Sequence, residues 1–289
     1  AQLYGVARDA DVFVFGNVVS RGNPLMGAIL DRRLRYVSGP EWLRDHVLAG
    51  RFVLAVAGTH GKTTTASMLA WILEHAGLAP GFLIGGVPAN FGVSARQSES
   101  AFFVVEADEY KRAFHEYTPE VAVITNVEPD HLDHWGDFAS LEAAFDEFVD
   151  LVAPNDGFAV LCLDHPGSAQ LAERARARGT RVVSYGTTPD CDFRIEILGS
   201  EKAGYRFDVI HRGVRLGDIV LRVPGRHNAL NATAALATCV GLGFNATEVR
   251  AGLSAFTGSR RRFEFRGEAA GVRVYDDYAH HPTELDATL

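Results

Sequence analysis

One stretch, residues 52–65, constrains this chain more than any other. Six apolar residues, Phe-Val-Leu-Ala-Val-Ala, run into Gly58-Thr59-His60-Gly61-Lys62-Thr63-Thr64-Thr65. Met68, Leu69, Ile72 and Leu73 then recur at helical spacing. An unbroken apolar strand belongs to a sheet covered on both faces. Glycines at the following turn let successive N–H groups face one anion, to which the new helix adds its positive end. Lys62 is then placed to reach the β- and γ-phosphates of a nucleotide, and the Thr63 hydroxyl to bind magnesium (Mg2+). The usual phosphate loop has a glycine five positions before Gly61, where Val56 stands, so this is a shortened form. The competing reading is a glycine-rich strand-to-helix turn with an incidental lysine.

The rest of the chain extends the same pattern. Apolar strands are predicted at 102–105, 121–125, 158–161 and 182–185, with helices at 64–76 and 141–152, the latter capped by Ser140. Polar–apolar alternation over 193–223 predicts an antiparallel addition to the sheet. Helices resume at 228–242 and 246–256, and 272–275 is a last strand. Before the loop, strands at 12–15 and 35–37 and helices after Asn23-Pro24 and at 41–48 read as the end of a βαβα domain. The expected class is therefore α/β, a phosphate-loop type of mostly parallel sheet flanked by helices.

Composition narrows the function. A net charge of -8 argues against a nucleic-acid partner. Cys162, Cys191 and Cys239 show no paired spacing, which argues against a disulfide framework or zinc site and fits a reducing cytoplasm. No apolar run reaches membrane-spanning length, so membrane insertion is not expected. The start at Ala1 without a methionine, and the stop at Leu289 soon after a motif-rich stretch, suggest an internal piece of a longer protein.

Four further clusters carry candidate chemistry. Glu106, Asp108 and Glu109 follow a buried strand, where open α/β sheets bind ligands, and could hold a nucleotide's metal or form a solvated loop. Asp130-His131-Leu132-Asp133-His134 could ligate a metal, bind phosphate or cap a helix. In Gly225-Arg226-His227-Asn228-Ala229-Leu230-Asn231, the two asparagines share a helix face and could bond a base; capping by Asn228 is the alternative. Arg260-Arg261-Arg262 is either a solvated charge run or a source of positive charge beside a transferred phosphoryl group. Asp276-Asp277-Tyr278-Ala279-His280-His281-Pro282 adds titratable groups suited to acid–base chemistry or substrate recognition.

Together, Gly-Thr-His-Gly-Lys-Thr-Thr-Thr, Glu-Ala-Asp-Glu, Thr-Asn-Val-Glu-Pro-Asp-His, Gly-Arg-His-Asn-Ala-Leu-Asn and Asp-Asp-Tyr-Ala-His-His-Pro-Thr-Glu resemble, in order, the motifs of the Mur ligase family. The resemblance covers almost the whole chain. It implies the tail of a UDP-sugar-binding domain at 1–48, a central ATP-binding domain at 49–270 and the start of an amino-acid- or peptide-binding domain at 271–289. It implies an amide ligase of peptidoglycan synthesis that uses ATP and Mg2+ to activate a carboxylate as an acyl phosphate. Catalytic roles then fall on Lys62, Glu106 and His131, and metal binding on Thr63, Glu106 and His131. ATP contacts fall on Gly58, Thr59, His60, Gly61, Lys62, Thr63, Thr64, His227, Asn228, Asn231, Arg261 and Asp277. Substrate contacts fall on Ser20, Asn23, Asn90, Ser94, Arg96, Tyr278 and His280. Residues 12–110 resemble the branch that adds a murein tripeptide to UDP-N-acetylmuramate. Residues 111–289 resemble the branch that adds L-alanine, in which an asparagine often replaces Ser94. Outside the family, a phosphate-loop ATPase or kinase, or a nucleotide-binding module without catalysis, would share the central motif.

Overall fold

A computed structural model describes residues 10–16, 19, 22–201 and 204–288. Strands β1 (Phe13–Phe15) and β2 (Tyr36–Ser38) pair in parallel around α1 (Pro24–Asp31). The Asn23 side chain accepts the Leu25 N–H and starts α1; Ser38 starts α2 (Gly39–Leu43) in the same way, and a π-helical turn continues it to Leu48.

The central unit follows in chain order as β3 (Phe52–Ala57), α3 (Lys62–His75), β4 (Gly81–Leu83), β5 (Ala95–Arg96), β6 (Phe102–Glu106) and β7 (Val121–Ile124). Next come α4 (Leu132–Trp135), α5 (Phe138–Asp150), β8 (Phe158–Cys162), α6 (Pro166–Ala177) and β9 (Val182–Gly186). Strands β10 (Phe193–Glu201), β11 (Gly204–His211), β12 (Val214–Arg215) and β13 (Ile219–Leu221) precede α7 (Arg226–Gly241) and α8 (Ala246–Ala255). The chain ends in a hairpin, β14 (Glu264–Ala269) and β15 (Val272–Asp276), and α9 (Pro282–Thr288).

The main sheet runs β12-β11-β10-β9-β8-β7-β3-β6-β4-β5, with β13 beside β11. From β4 to β10 every pair is parallel; antiparallel strands close both edges. Alternation along β3 divides the core. Leu54 and Val56 pack with Leu69, Leu236 and Leu253 of α3, α7 and α8. Val53, Ala55 and Ala57 pack with Phe145, Phe148 and Leu171 of α5 and α6. The expected doubly covered parallel sheet is the observed one. No helix among the described residues is long and apolar enough to cross a membrane.

Two local expectations are corrected. Helix α5 is capped by Asp137, whose carboxylate accepts the Ser140 N–H at 2.8 Å, so Ser140 lies in the first turn. An ionised carboxylate is the stronger acceptor at a helix N-terminus, and Gly136 breaks the chain just ahead of it. Asn228 does not cap α7: Gly225 takes that position and Asn228 lies inside the helix.

Candidate active site

The β3–α3 loop is held in shape from the side by the residues after β7. The Thr59 and His60 N–H groups donate to the Asn126 carbonyl and side-chain oxygens at 3.2 and 2.8 Å. Thr125 Oγ1 and Asn126 Nδ2 donate back to the His60 carbonyl. Gly58 and Gly61 sit at φ +126° and +84°. A Cβ on Gly58 would collide with Thr125 Oγ1, and one on Gly61 would lie 2.5 Å from Asn231 Oδ1. Both glycines are required by conformation and by space.

Lys62 opens α3 and turns back over the loop. Its ammonium donates to the Gly58 and Thr59 carbonyls at 2.6 and 3.2 Å and to Glu109 Oε2 at 2.9 Å. Burial alone would lower its pKa. Glu109, helped by Asp108 and Glu106, outweighs that and holds the ammonium above its ordinary value. Beside it, Thr63 Oγ1 donates to Glu106 Oε1 at 2.9 Å, and the Gly85 N–H donates to the other carboxylate oxygen. A hydroxyl and a carboxylate at a helix N-terminus form an all-oxygen donor pair suited to a small hard cation.

His131 adopts φ +50° at the start of α4. It lies near Glu109 and Asp130, and the three offer ligand atoms within 4.8 Å of one another. Glu106 falls outside that group, although it lines the same cavity as Asp130 and His131. That cavity, about 740 Å³, is walled by three parts of the chain: Trp42, the loop with Glu106, and the Tyr278–His280 segment. A narrower cavity of about 150 Å³ continues past Thr64 and Asn126 to His227, Asn228, Asn231 and Asp277. His60, Arg262 and Glu284 line both. Asn231 Nδ2 approaches Asn228 Oδ1 at 3.4 Å, so the two asparagines do share a face. Burial lowers the His227 pKa, with Asp277 opposing, so the ring is neutral near pH 7. Asp277 accepts the Phe263 and Ala279 N–H groups, both at 2.7 Å, and so orders the turn that carries Tyr278.

Within the arginine run, Arg262 faces the cavities and Arg261 lies 4.8 Å over the Tyr278 ring. The remaining substrate candidates lie elsewhere. Asn23 caps α1; Asn90 bonds the Ala255 carbonyl and Thr257. The Ser94 carbonyl pairs with the Ile84 N–H, and Arg96 bonds Glu74 and the Pro80 carbonyl over Phe82. Ser20 lies outside the described residues. Sequence reasoning did not assign roles to Asn126, Glu128 or Glu284, and within the arginine run it named Arg261, whereas Arg262 lines the cavities. Asn126, Glu128 and Glu284 all stood within recognised motifs, and a strand-end position was the available signal for the first two.

The Mur ligase middle-domain profile matches residues 56–239, and the profile of the Mur ligase glutamate ligase domain matches residues 261–289. The UDP-N-acetylmuramate–L-alanine ligase of Acidothermus cellulolyticus is 50% identical over 97% of this chain and 58% of its own length. That of Kineococcus radiotolerans is 48% identical over 96% and 58%. This chain thus spans little more than half the length of these relatives. The solved UDP-N-acetylmuramate:L-alanyl-gamma-D-glutamyl-meso-diaminopimelate ligase from Neisseria meningitides superposes with TM-score 0.77 at 42% identity, over 90% of this chain and 82% of that one. The UDP-N-acetylmuramate–alanine ligase from Thermotoga maritima gives 0.83 at 27%, over 96% and 63%. With the middle-domain profile matching more than half of its residues in sequence order, the chain belongs to the Mur ligase family.

Proposed function

We propose that this chain is the ATP-binding core of a cytoplasmic amide ligase that joins L-alanine to the carboxylate of UDP-N-acetylmuramate. The observation that carries this reading is the single cavity in which Lys62, Thr63 and Glu106 face Tyr278 and His280. Phosphoryl chemistry and amine capture need such adjacency. The muramyl carboxylate oxygen attacks the γ-phosphorus of ATP, the bond to the β-phosphate oxygen breaks, and ADP leaves. The amine then attacks the acyl carbon, the C–O bond to phosphate breaks, and phosphate and a proton are released.

In this reading Lys62 exchanges Glu109 for the β- and γ-phosphate oxygens and stabilises the charge that develops there. The narrow cavity takes the nucleoside, with Asn228 and Asn231 toward the base and Asp277 toward the ribose. Thr63 with Glu106, and His131 beside Asp130, would serve the Mg²⁺ sites, and Mg²⁺ when bound would supply charge neutralisation to the phosphates. Tyr278 and His280 border the amine, while Asn23, Asn90, Ser94 and Arg96 are left to the sugar-nucleotide side. The proposed division keeps 1–48 as the tail of the sugar-nucleotide domain, 49–270 as the central domain and 271–289 as the start of the C-terminal domain; the β14–β15 hairpin across residue 270 and the profile match from residue 261 favour an earlier start for the last.

A tripeptide nucleophile is the second reading, favoured by the 42% identity to the Neisseria ligase. The test is an assay of the full-length protein with ATP, UDP-N-acetylmuramate and either L-alanine or the tripeptide. ADP release that requires both the sugar nucleotide and L-alanine supports the first reading, and preference for the tripeptide the second. Turnover independent of either would make the protein an ATPase or kinase.

A further inference from the structure

The phosphate loop and the C-terminal segment meet in a cluster of two histidines and a glutamate beside the catalytic cavity. His60, Glu128 and His281 offer one nitrogen or oxygen each, all within 4.8 Å of one another. His60 Nε2 stands 3.6 Å from Glu128 Oε2, and the His60 and His281 rings are 4.7 Å apart. From these positions we infer a binding site for a transition-metal dication of the zinc class, distinct from the Thr63–Glu106 site, that clamps the C-terminal segment to the phosphate loop.

Three features support it. His60 Nε2 is buried and makes no hydrogen bond. Its other nitrogen, Nδ1, faces Glu284 Oε1 at 3.3 Å, so the ring proton sits there. The Nε2 lone pair therefore points at the Glu128 carboxylate, two acceptors facing one another, which is unfavourable without a cation between them.

Two of the ligands are also oriented from behind. Glu284 faces His60 Nδ1, and Thr283 Oγ1 and His165 Nδ1 hold Glu128 at 3.1 Å each. His281 Nδ1 accepts the Thr283 N–H at 3.3 Å, so His281 joins through Nε2 only by giving up that bond and moving its proton to Nδ1. Such carboxylate–histidine pairing is the usual support of metal-bound imidazole. Finally, two imidazoles and one carboxylate select zinc-like ions over magnesium, which prefers oxygen. Tetrahedral zinc with bonds near 2.1 Å separates its ligands by about 3.4 Å, close to the His60–Glu128 spacing.

The test uses the full-length protein, stripped with EDTA and titrated with Co(II) as a coloured probe, then with Zn(II). One equivalent of Co(II) should give the strong visible absorption of four-coordinate cobalt, Zn(II) should displace it, and excess magnesium should not. His281→Ala and Glu128→Gln should each weaken binding at least about 10-fold, and Glu284→Gln by about 10–100-fold. Glu106→Gln should leave Co(II) binding unchanged. Zn(II) should raise Tm in the wild type and not in His281→Ala, which separates metal binding from a folding defect. Absence of a one-equivalent site in the wild type overturns the proposal. So does affinity unaltered in both ligand variants, or loss of the site in Glu106→Gln.

Discussion

The phosphate loop and the C-terminal segment face each other across one cavity, yet they are built by opposite means. The loop hangs from β3, β6 and β7, whose side chains are almost entirely buried, and its backbone is bonded to Asn126 on a neighbouring strand end. The segment from β14 to α9 leaves Phe265, Val272, Val274 and Tyr278 at least half exposed and reaches the cavity through a turn ordered by Asp277. One half of the site is fixed by the core of the sheet. The other is set by how a separate hairpin and short helix dock on it. Chemistry common to all acyl phosphates suits the first half, and choice of nucleophile suits the second.

If that division holds, the largest effect belongs to the buried half. Lys62→Ala should lower amide formation by about 10³-fold or more, since it removes the charge aimed at the transferred phosphoryl group. It should also cost stability, because Glu109 is then left buried without its partner. Adding Glu109→Gln should recover Tm while activity stays lost. Near-normal turnover in Lys62→Ala would break the assignment of the loop. Next in size is Glu106→Gln, expected to raise the magnesium needed for half-maximal rate by roughly 10–100-fold. A superimposable magnesium titration would remove Glu106 from the metal site.

The same contrast explains what could be read from sequence. Strand β3, its loop and α3 were legible because burial on both faces forces an unbroken apolar run, and the turn forces glycine at positions 58 and 61. Strand β14 was not legible. Glu264, Arg266 and Glu268 interrupt it, neither face is buried, and it pairs only with β15. The cap of α5 was misplaced by three residues because Asp137 and Ser140 both suit the role. The cluster motifs pointed to Glu106 and His131, but the pairing of Lys62 with Glu109 depends on how β6 and α3 are juxtaposed. No spacing along the chain encodes that distance.

On the docked half the effects should be smaller. Arg262 lines both cavities, lies 3.9 Å from Glu284 and approaches the Tyr278 ring at 5.8 Å. Arg262→Ala should raise the KM for ATP by about 10-fold, in the range of one lost charged hydrogen bond, with kcat changed less. Arg261→Ala should alter the amine KM more than the ATP KM, since its guanidinium covers Tyr278. Equal effects on both constants in both variants would blur the boundary between the halves.

The smallest expected effect is a pH response, and it too should follow the buried half. Burial lowers the pKa of His60, His115 and His227 below the ordinary 6.5. In each case the unfolded chain takes up the proton before the folded one. Stability from these neutral rings is therefore complete above about pH 6.5 and is lost as pH falls toward the folded values. Tm should be flat from pH 8 to about 7 and then decline. His227→Gln should shallow the decline, because glutamine keeps a polar group beside Asp277 without a titrating proton. A Tm that rises on acidification across this window would mean that these rings are charged in the folded protein, and that the loop half of the site is less sealed than its hydrogen bonds imply.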